Sequence, residues 1–208
     1  MTSMFDKIHQ YLETVTPERP PVLREMEEYA SEHKFPIVGP LVGRLLYQLT
    51  LATKARKICE LGSGFGYSAY WFSMAIRSRG SVLMVDSDKR NKRLAFNYFK
   101  KAALQSQFEF RVGDALGILK KNDGPFDIIF NDINKDGYPK VIDAVATRLK
   151  KNGLFITDNL IWSGRVLDKK PDVTTKAIQE FTRVLYNDSR FFTTILPLRD
   201  GVSIAVRL

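Results

Sequence analysis

The chain has 208 residues, 44% of them hydrophobic and 26% charged, with a formal net charge of +9. That length and apolar share suit one large domain with a sizeable core and leave little room for a second. No apolar run approaches the ~20 residues that span a bilayer, and the start, M-T-S-M-F-D-K-I-H-Q, lacks the apolar core of a signal peptide, so a cytoplasmic protein with no membrane contact is expected.

Helical spacing runs over residues 4–15, with Phe5, Ile8 and Leu12 as its apolar stripe, and over 21–33, with Leu23, Met26, Tyr29 and Ala30. Pro17, Pro20 and Pro21 separate these helices, and Pro36 with Gly39-Pro40 precedes a third over 41–51. Residues 1–52 thus form a helical segment placed to cover a pocket or a dimer face. His9 and His33, the only histidines, have no ligand partners nearby in sequence and read as packing or surface residues.

From Arg56 the pattern alternates. Strands are expected at 57–61, 81–85, 108–112, 126–130 and 154–157, and helices at 67–79, 88–104, 114–121 and 138–151, with Gly80 and Gly153 as stops. The single cysteine, Cys59, falls inside the first strand, where it reads as a small buried side chain. Strict alternation of strand and helix implies a parallel, doubly wound sheet. The last two strands, 192–197 and 202–207, are joined only by Leu198-Arg199-Asp200-Gly201, too short for a parallel crossover, so the final strand runs antiparallel. The fold class is therefore α/β, a mostly parallel seven-stranded sheet over 53–208 preceded by helices. Basic residues come as scattered pairs, such as Lys100-Lys101, Lys120-Lys121, Lys150-Lys151 and Lys169-Lys170, which solvated helix ends largely explain.

Two groups of residues carry chemistry. The first is E-L-G-S-G-F-G-Y-S, residues 60–68, where three glycines let the backbone turn sharply from strand to helix and approach a ligand closely. Its G-x-G-x-G spacing departs from the dinucleotide fingerprint, and Glu60 before the first glycine disfavours a phosphate and suits a cationic ligand. Asp86 ends the second strand, where a carboxylate can accept from ribose hydroxyls, and Asp114 ends the third, placed to meet an adenine edge. The second group is F-D-I-I-F-N-D-I-N-K-D-G-Y, residues 126–138, with Thr157-Asp158-Asn159. Asp132 and the Asp158-Asn159 pair each follow an apolar strand, and ligands in open parallel sheets sit at those strand ends. Their hard oxygens suit Mg²⁺, Mn²⁺ or Ca²⁺, against the plainer reading of Asp132 and Asp158 as loop and helix caps.

With Pro36-Ile37-Val38, V-D-S-D, G-D-A, I-T-D-N-L-I-W-S-G-R-V and L-P-L-R-D-G, these runs form an ordered set over nearly the whole chain. That set resembles the cation-dependent class I S-adenosylmethionine O-methyltransferases, the family of catechol and caffeoyl-coenzyme A O-methyltransferases and their small bacterial relatives. The resemblance implies a Rossmann-like methyltransferase domain over 1–208 and a homodimer. It implies metal ligation by Asp132, Asp158 and Asn159, with Lys135 as catalytic base beside Asp132. Val38, Glu60, Gly62, Ser63, Gly64, Tyr67, Ser68, Asp86, Ser87, Gly113, Asp114, Ala115 and Asp132 would line the cofactor site, and Trp162 and Arg165 the substrate pocket. The implied acceptor is a small vicinal diol such as a catechol. Its rivals are transfer RNA carrying a hydroxyuridine, which the basic excess would help to hold, and a non-catalytic S-adenosylmethionine-binding domain. Two departures stand out: Asn134 where the family often has an aspartate, and Asn131 in place of an aliphatic residue, where a buried amide must find a hydrogen bond.

Overall fold

The computed structural model describes residues 4–76, 78, 80–104, 107–122 and 124–208. Three helices lead: α1 (Met4–Thr14), α2 (Pro21–Glu32) and α3 (Gly39–Thr53). The alternating part follows as β1 (Lys57–Leu61), α4 (Tyr67–Ile76), β2 (Ser81–Asp86), α5 (Lys89–Lys101), β3 (Phe108–Val112), α6 (Ala115–Lys121), β4 (Phe126–Asn131), α7 (Tyr138–Arg148) and β5 (Leu149–Thr157). The chain closes with α8 (Val173–Asn187), β6 (Phe191–Leu196) and β7 (Val202–Arg207). Short 3-10 turns occupy Lys135–Gly137 and Trp162–Leu167.

The strands form one seven-stranded sheet in the order β3-β2-β1-β4-β5-β7-β6. β1 to β5 pair in parallel, and β7 runs antiparallel to both β5 and β6, as the short final link requires. The central strands are apolar on both faces because helices cover both. Ile58, Met84, Phe130 and Ile156 face α2 to α5, whereas Cys59, Leu61, Ile129 and Phe155 face α6 to α8. Burial of Cys59 pushes its thiol well above the ordinary range, so it stays protonated and inert. Among the described residues no helix is long and apolar enough to cross a membrane.

Chain order and strand order part company between β1 and β4. β1 is followed outward by β2 and β3, while β4 and β5 lie on its other side. The crevice at such a reversal, beyond the carboxyl ends of the strands, is where open α/β sheets hold ligands.

Three expectations need correction. The helix placed over 138–151 ends at Arg148, and β5 starts at Leu149, with a register shift against β4 between Phe126 and Ile128. Gly153 is consequently inside a strand, where a Cβ would stand 3.0 Å from the Asp127 carbonyl, and is not a helix stop. No element is expected from the sequence over 158–191, yet α8 lies there and buries Ile178, Phe181 and Leu185. The helix expected over 67–79 is seen to Ile76, and residues 77 and 79 lie outside the described residues.

Candidate active site

The loop leaving β1 is fixed by its neighbours on both sides. Gly62 has φ 81°, and a Cβ on it would stand 2.4 Å from the Asp132 carbonyl oxygen, so only glycine lets the ends of β1 and β4 press together. Asp132 N–H donates to the Leu61 carbonyl at 2.8 Å, completing that contact. From the β2 side, Gly62 N–H donates to the Val85 carbonyl at 2.9 Å and Ser63 Oγ accepts from Val85 N–H at 3.0 Å. Asp86 ties the loop once more: Oδ2 accepts from Gly64 N–H at 2.9 Å, and Oδ1 accepts from Asp88 N–H at 2.8 Å and Asn91 Nδ2 at 3.0 Å.

Glu60 lies beneath this loop, fully buried, and accepts from Ser68 Oγ through Oε1, while Oε2 has no partner among the described residues. Burial pushes its carboxyl up to about 8, against hydrogen bonds that pull down, with Asp132 and Asp86 adding to the rise. Tyr67 opens α4 and donates its hydroxyl to Glu27 Oε1 at 2.6 Å, and the Glu27 Oε2 in turn accepts from Arg19 Nε at 2.9 Å. The helical segment is thereby fastened to the glycine loop. Asp114 caps α6, its Oδ2 accepting from Gly117 N–H at 2.6 Å.

A cavity of about 930 Å³ opens at this crevice. Of the residues expected at the cofactor, Glu60 alone does not line it, and Lys135, Asp158, Asn159 and Trp162 line its other end. Arg165 does not reach it. Its guanidinium pairs with Asp172 outside and sits 5.6 Å from the Trp162 ring centroid.

At that other end the register Asn131↔Thr157 brings the next residues, Asp132 and Asp158, out side by side. Asp158 N–H donates to the Asn131 carbonyl at 3.2 Å, and the Tyr138 hydroxyl donates to the Asp158 carbonyl at 2.9 Å, so the pair is held through its backbone. Lys135 Nζ donates to Asp132 Oδ1 at 2.7 Å and lies 5.1 Å from the Tyr138 ring centroid and 5.9 Å from that of Trp162. Asp158 Oδ1 is buried with no partner among the described residues. Burial first, then the charge of Asp132, pushes the Asp158 carboxyl up to about 7; burial likewise raises Asp132, with Lys135 opposing. Asn159 has φ 63° and turns its Nδ2 to Asp200 Oδ2 at 3.3 Å.

A family model described as O-methyltransferase matches residues 13–208. The chain belongs to the O-methyltransferase family. Caffeoyl-CoA O-methyltransferase 5 of Nicotiana tabacum is 30% identical over 221 residues, covering 98% of this chain and 92% of its own. Among solved structures, an O-methyltransferase from Bacillus cereus in complex with SAH superposes with a TM-score of 0.89 at 26% identity, covering 100% of both chains. A methyltransferase from Geobacter sulfurreducens is 33% identical with a TM-score of 0.84, covering 97% of this chain and 96% of its own.

In this O-methyltransferase the sequence alone assigns no role to several residues around the cavity. Asp200 reaches Asn159 from the β6–β7 turn, and Phe35 and Ile37 wall the cavity from between α2 and α3. Asp136, Lys140 and Thr174 line its mouth, where Thr174 Oγ1 donates to Asp136 Oδ1 at 3.2 Å. Thr174 belongs to the unanticipated α8; its neighbour Asp172, an N-cap ahead of apolar Ile178, Phe181 and Leu185, is the signal that would have found it. No group of three or more His, Cys, Asp or Glu that could hold a metal occurs among the described residues, so a cation here must draw on an amide or other oxygen beside the two carboxylates. The donor set nonetheless fits a hard cation: two adjacent carboxylates, Asp132 half-buried and Asp158 buried, the latter with an oxygen that has no partner among the described residues.

Proposed function

We propose that this chain transfers the methyl group of S-adenosylmethionine to one hydroxyl of a small vicinal diol of the catechol type, assisted by a divalent cation held by Asp132, Asp158 and Asn159. Mg²⁺ is the first choice, with Mn²⁺ and Ca²⁺ as chemical equivalents. The observation that carries this reading is Asp158 Oδ1, an unpartnered buried carboxylate oxygen beside a second carboxylate, in the same cavity as the glycine loop. When bound, the cation lowers the acceptor hydroxyl's pKa and orients it, and the sulfonium supplies the methyl.

The chain's own residues then have distinct tasks. The glycine loop and the start of α4 receive the amino-acid end of the nucleoside, with helix N–H groups facing its carboxylate. Asp86, already held by three donors, presents its carboxylate to the ribose hydroxyls. Lys135 Nζ accepts the proton from the acceptor hydroxyl. The oxygen bonds to the methyl carbon as the carbon–sulfur bond breaks and its electron pair stays on sulfur. The Trp162 ring walls the acceptor side, where it packs against a flat aromatic. Holding both reactants in line supplies on the order of 7–11 kcal/mol of the barrier reduction.

Residues 1–52 and 53–208 are proposed to work as one catalytic unit, since the first supplies Phe35 to Val38 to the cavity wall. A cytoplasmic homodimer goes with it. The exposed apolar residues Met4, Ile8 and Tyr11 of α1, Val15 just after it and Phe192 of β6 are surfaces such a dimer would cover, which sedimentation would test.

The deciding experiment is a methyl-transfer screen of catechols, flavonoids, coenzyme A esters and transfer RNA, with and without a chelator. Asp158→Ala is expected to lower turnover roughly a thousandfold or more while S-adenosylhomocysteine affinity stays within about threefold. Equal loss of both would make Asp158 a structural residue and sink the metal reading.

A further inference from the structure

The five-residue turn between β6 and β7, residues 197–201, joins parts of the cavity that are remote in sequence. Arg199 in that turn has φ 48°, a left-handed conformation that glycine adopts more readily than arginine. Its guanidinium Nη1 donates to the Ile37 carbonyl at 2.7 Å. The same group lies over Gly39, where a Cβ would stand 2.5 Å from Nη1, so residue 39 leaves room for the arginine. Arg199 N–H donates to His9 Nε2 at 2.8 Å, which fastens α1 to the same point.

The segment that Arg199 holds is a cavity wall. Phe35 to Val38 line the cavity, and the Phe35 ring meets the Phe65 ring of the glycine loop edge-on at 4.9 Å between centroids. A Cβ on Gly64 would stand 2.9 Å from Phe35 Cε1, so wall and loop are in close contact. Arg199 itself does not line the cavity, and its effect passes through the wall. The neighbouring Asp200 holds Asn159 and Ser163 on the opposite side. The positive charge of Arg199 also counters part of the upward push on both Asp132 and Asp158.

We infer that Arg199 is a positioning residue that sets cofactor affinity by pinning the 35–38 wall against the glycine loop from behind. The inference rests on the reading of that loop as the S-adenosyl site. A left-handed backbone is kept at position 199 by a non-glycine residue whose long side chain reaches the Ile37 carbonyl.

The test is calorimetric titration with S-adenosylhomocysteine, no acceptor present, for the parent, Arg199→Gly and Arg199→Lys. Arg199→Gly suits the left-handed turn, so its Tm should be unchanged or raised, while affinity falls about tenfold, the scale of one charged hydrogen bond. Hydrogen exchange at the amides of Phe35, Ile37, Val38 and Gly39 should quicken with no change in the central strands. Arg199→Lys, which keeps the charge and a donor, should recover most of the affinity. In turnover, KM for the methyl donor should rise more than kcat falls. Arg199→Gly binding within about twofold of the parent would overturn the inference, as would an affinity loss that tracks a fall in Tm and is not rescued by lysine. A parent protein that binds no S-adenosylhomocysteine would instead overturn the functional reading of the loop, so the two failures are told apart.

Discussion

Neither amide atom of Asn131 meets a partner among the described residues, although the side chain is completely enclosed. The register Leu61↔Asn131↔Thr157↔Ser203 puts it in a row across the sheet, and the hydroxyls of Thr157 and Ser203 are equally buried and unmatched. The sequence demanded a hydrogen bond for a buried amide at 131, and none of the described residues supplies one. Unmatched buried polar groups cost roughly 1–3 kcal/mol each, so Thr157→Val, which keeps the shape and removes the hydroxyl, should raise Tm by a few degrees with S-adenosylhomocysteine binding unchanged. A lower Tm would mean the hydroxyl has an essential partner. Glu60 gives a pH signature of the opposite kind. Its carboxyl ionises near 4.5 when unfolded and near 8 when folded, so the unfolded chain sheds the proton first as pH rises. Stability therefore falls between those values and levels off above the higher one. Glu60→Gln should flatten the decline in Tm of the ligand-free protein between pH 5 and 8, and a slope identical to the parent would rule out Glu60 as its source. Sequence reasoning set Glu60 against the ligand, and burial under the loop is what it could not see. Arg199 and Asp200 were equally hidden, because nothing in L-R-D-G says which part of the molecule the turn will touch.

At the scale of elements, the strand-end rule explains why so many of the candidate site residues come together at one cavity. Asp86, Asp114, Asp132 and Asp158 all stand within two residues of the carboxyl end of a parallel strand, where topology forces side chains together whatever the distant packing. The errors arose where local and tertiary preferences disagree. Lys150-Lys151-Asn152-Gly153 has the chemistry of a helix end, yet pairing with β4 draws it into β5. α8 escaped notice because its apolar stripe follows a long irregular stretch, although it packs directly on α7. The tightest element junction is β1 against β4 at Gly62. Gly62→Ala must strain φ 81° and push a methyl into the Asp132 carbonyl, which moves the glycine loop and a proposed metal ligand together. Loss of S-adenosylhomocysteine binding by at least about tenfold, with Tm lowered by several degrees, is the expected result, since such backbone conflicts cost roughly 1–3 kcal/mol. Parent-like binding and Tm would show that the junction yields easily.

Over the whole molecule the excess of nine positive charges is dispersed. Lys100 and Lys101 end α5, Lys120 and Lys121 end α6, and Lys150 is paired with Asp127 on the far side of the sheet from the cavity's strand ends. A phosphate backbone bound by six to ten contacts would lose roughly a thousandfold or more in affinity between 50 and 200 mM salt. Turnover of a small diol should instead change less than about threefold over that range, and a steep salt dependence would move the proposal to RNA. Ligand linkage provides the most general check, because the cavity draws on loops that leave β1, β2, β3, β4 and β5. Anything bound there to the folded chain alone stabilises it by RT ln(1 + [L]/Kd), about 2.7 kcal/mol at a hundredfold excess over Kd, or roughly 5–10 °C in a domain of this size. S-adenosylhomocysteine and Mg²⁺ should therefore each raise Tm, and a chelator should cancel only the second increment. Asp158→Asn keeps the volume of the side chain and removes its charge, so it should abolish the Mg²⁺ increment and leave that of the nucleoside. An equal Mg²⁺ increment in the variant would place the cation elsewhere on the protein, and with it would go the case for Asp132, Asp158 and Asn159 as its ligands.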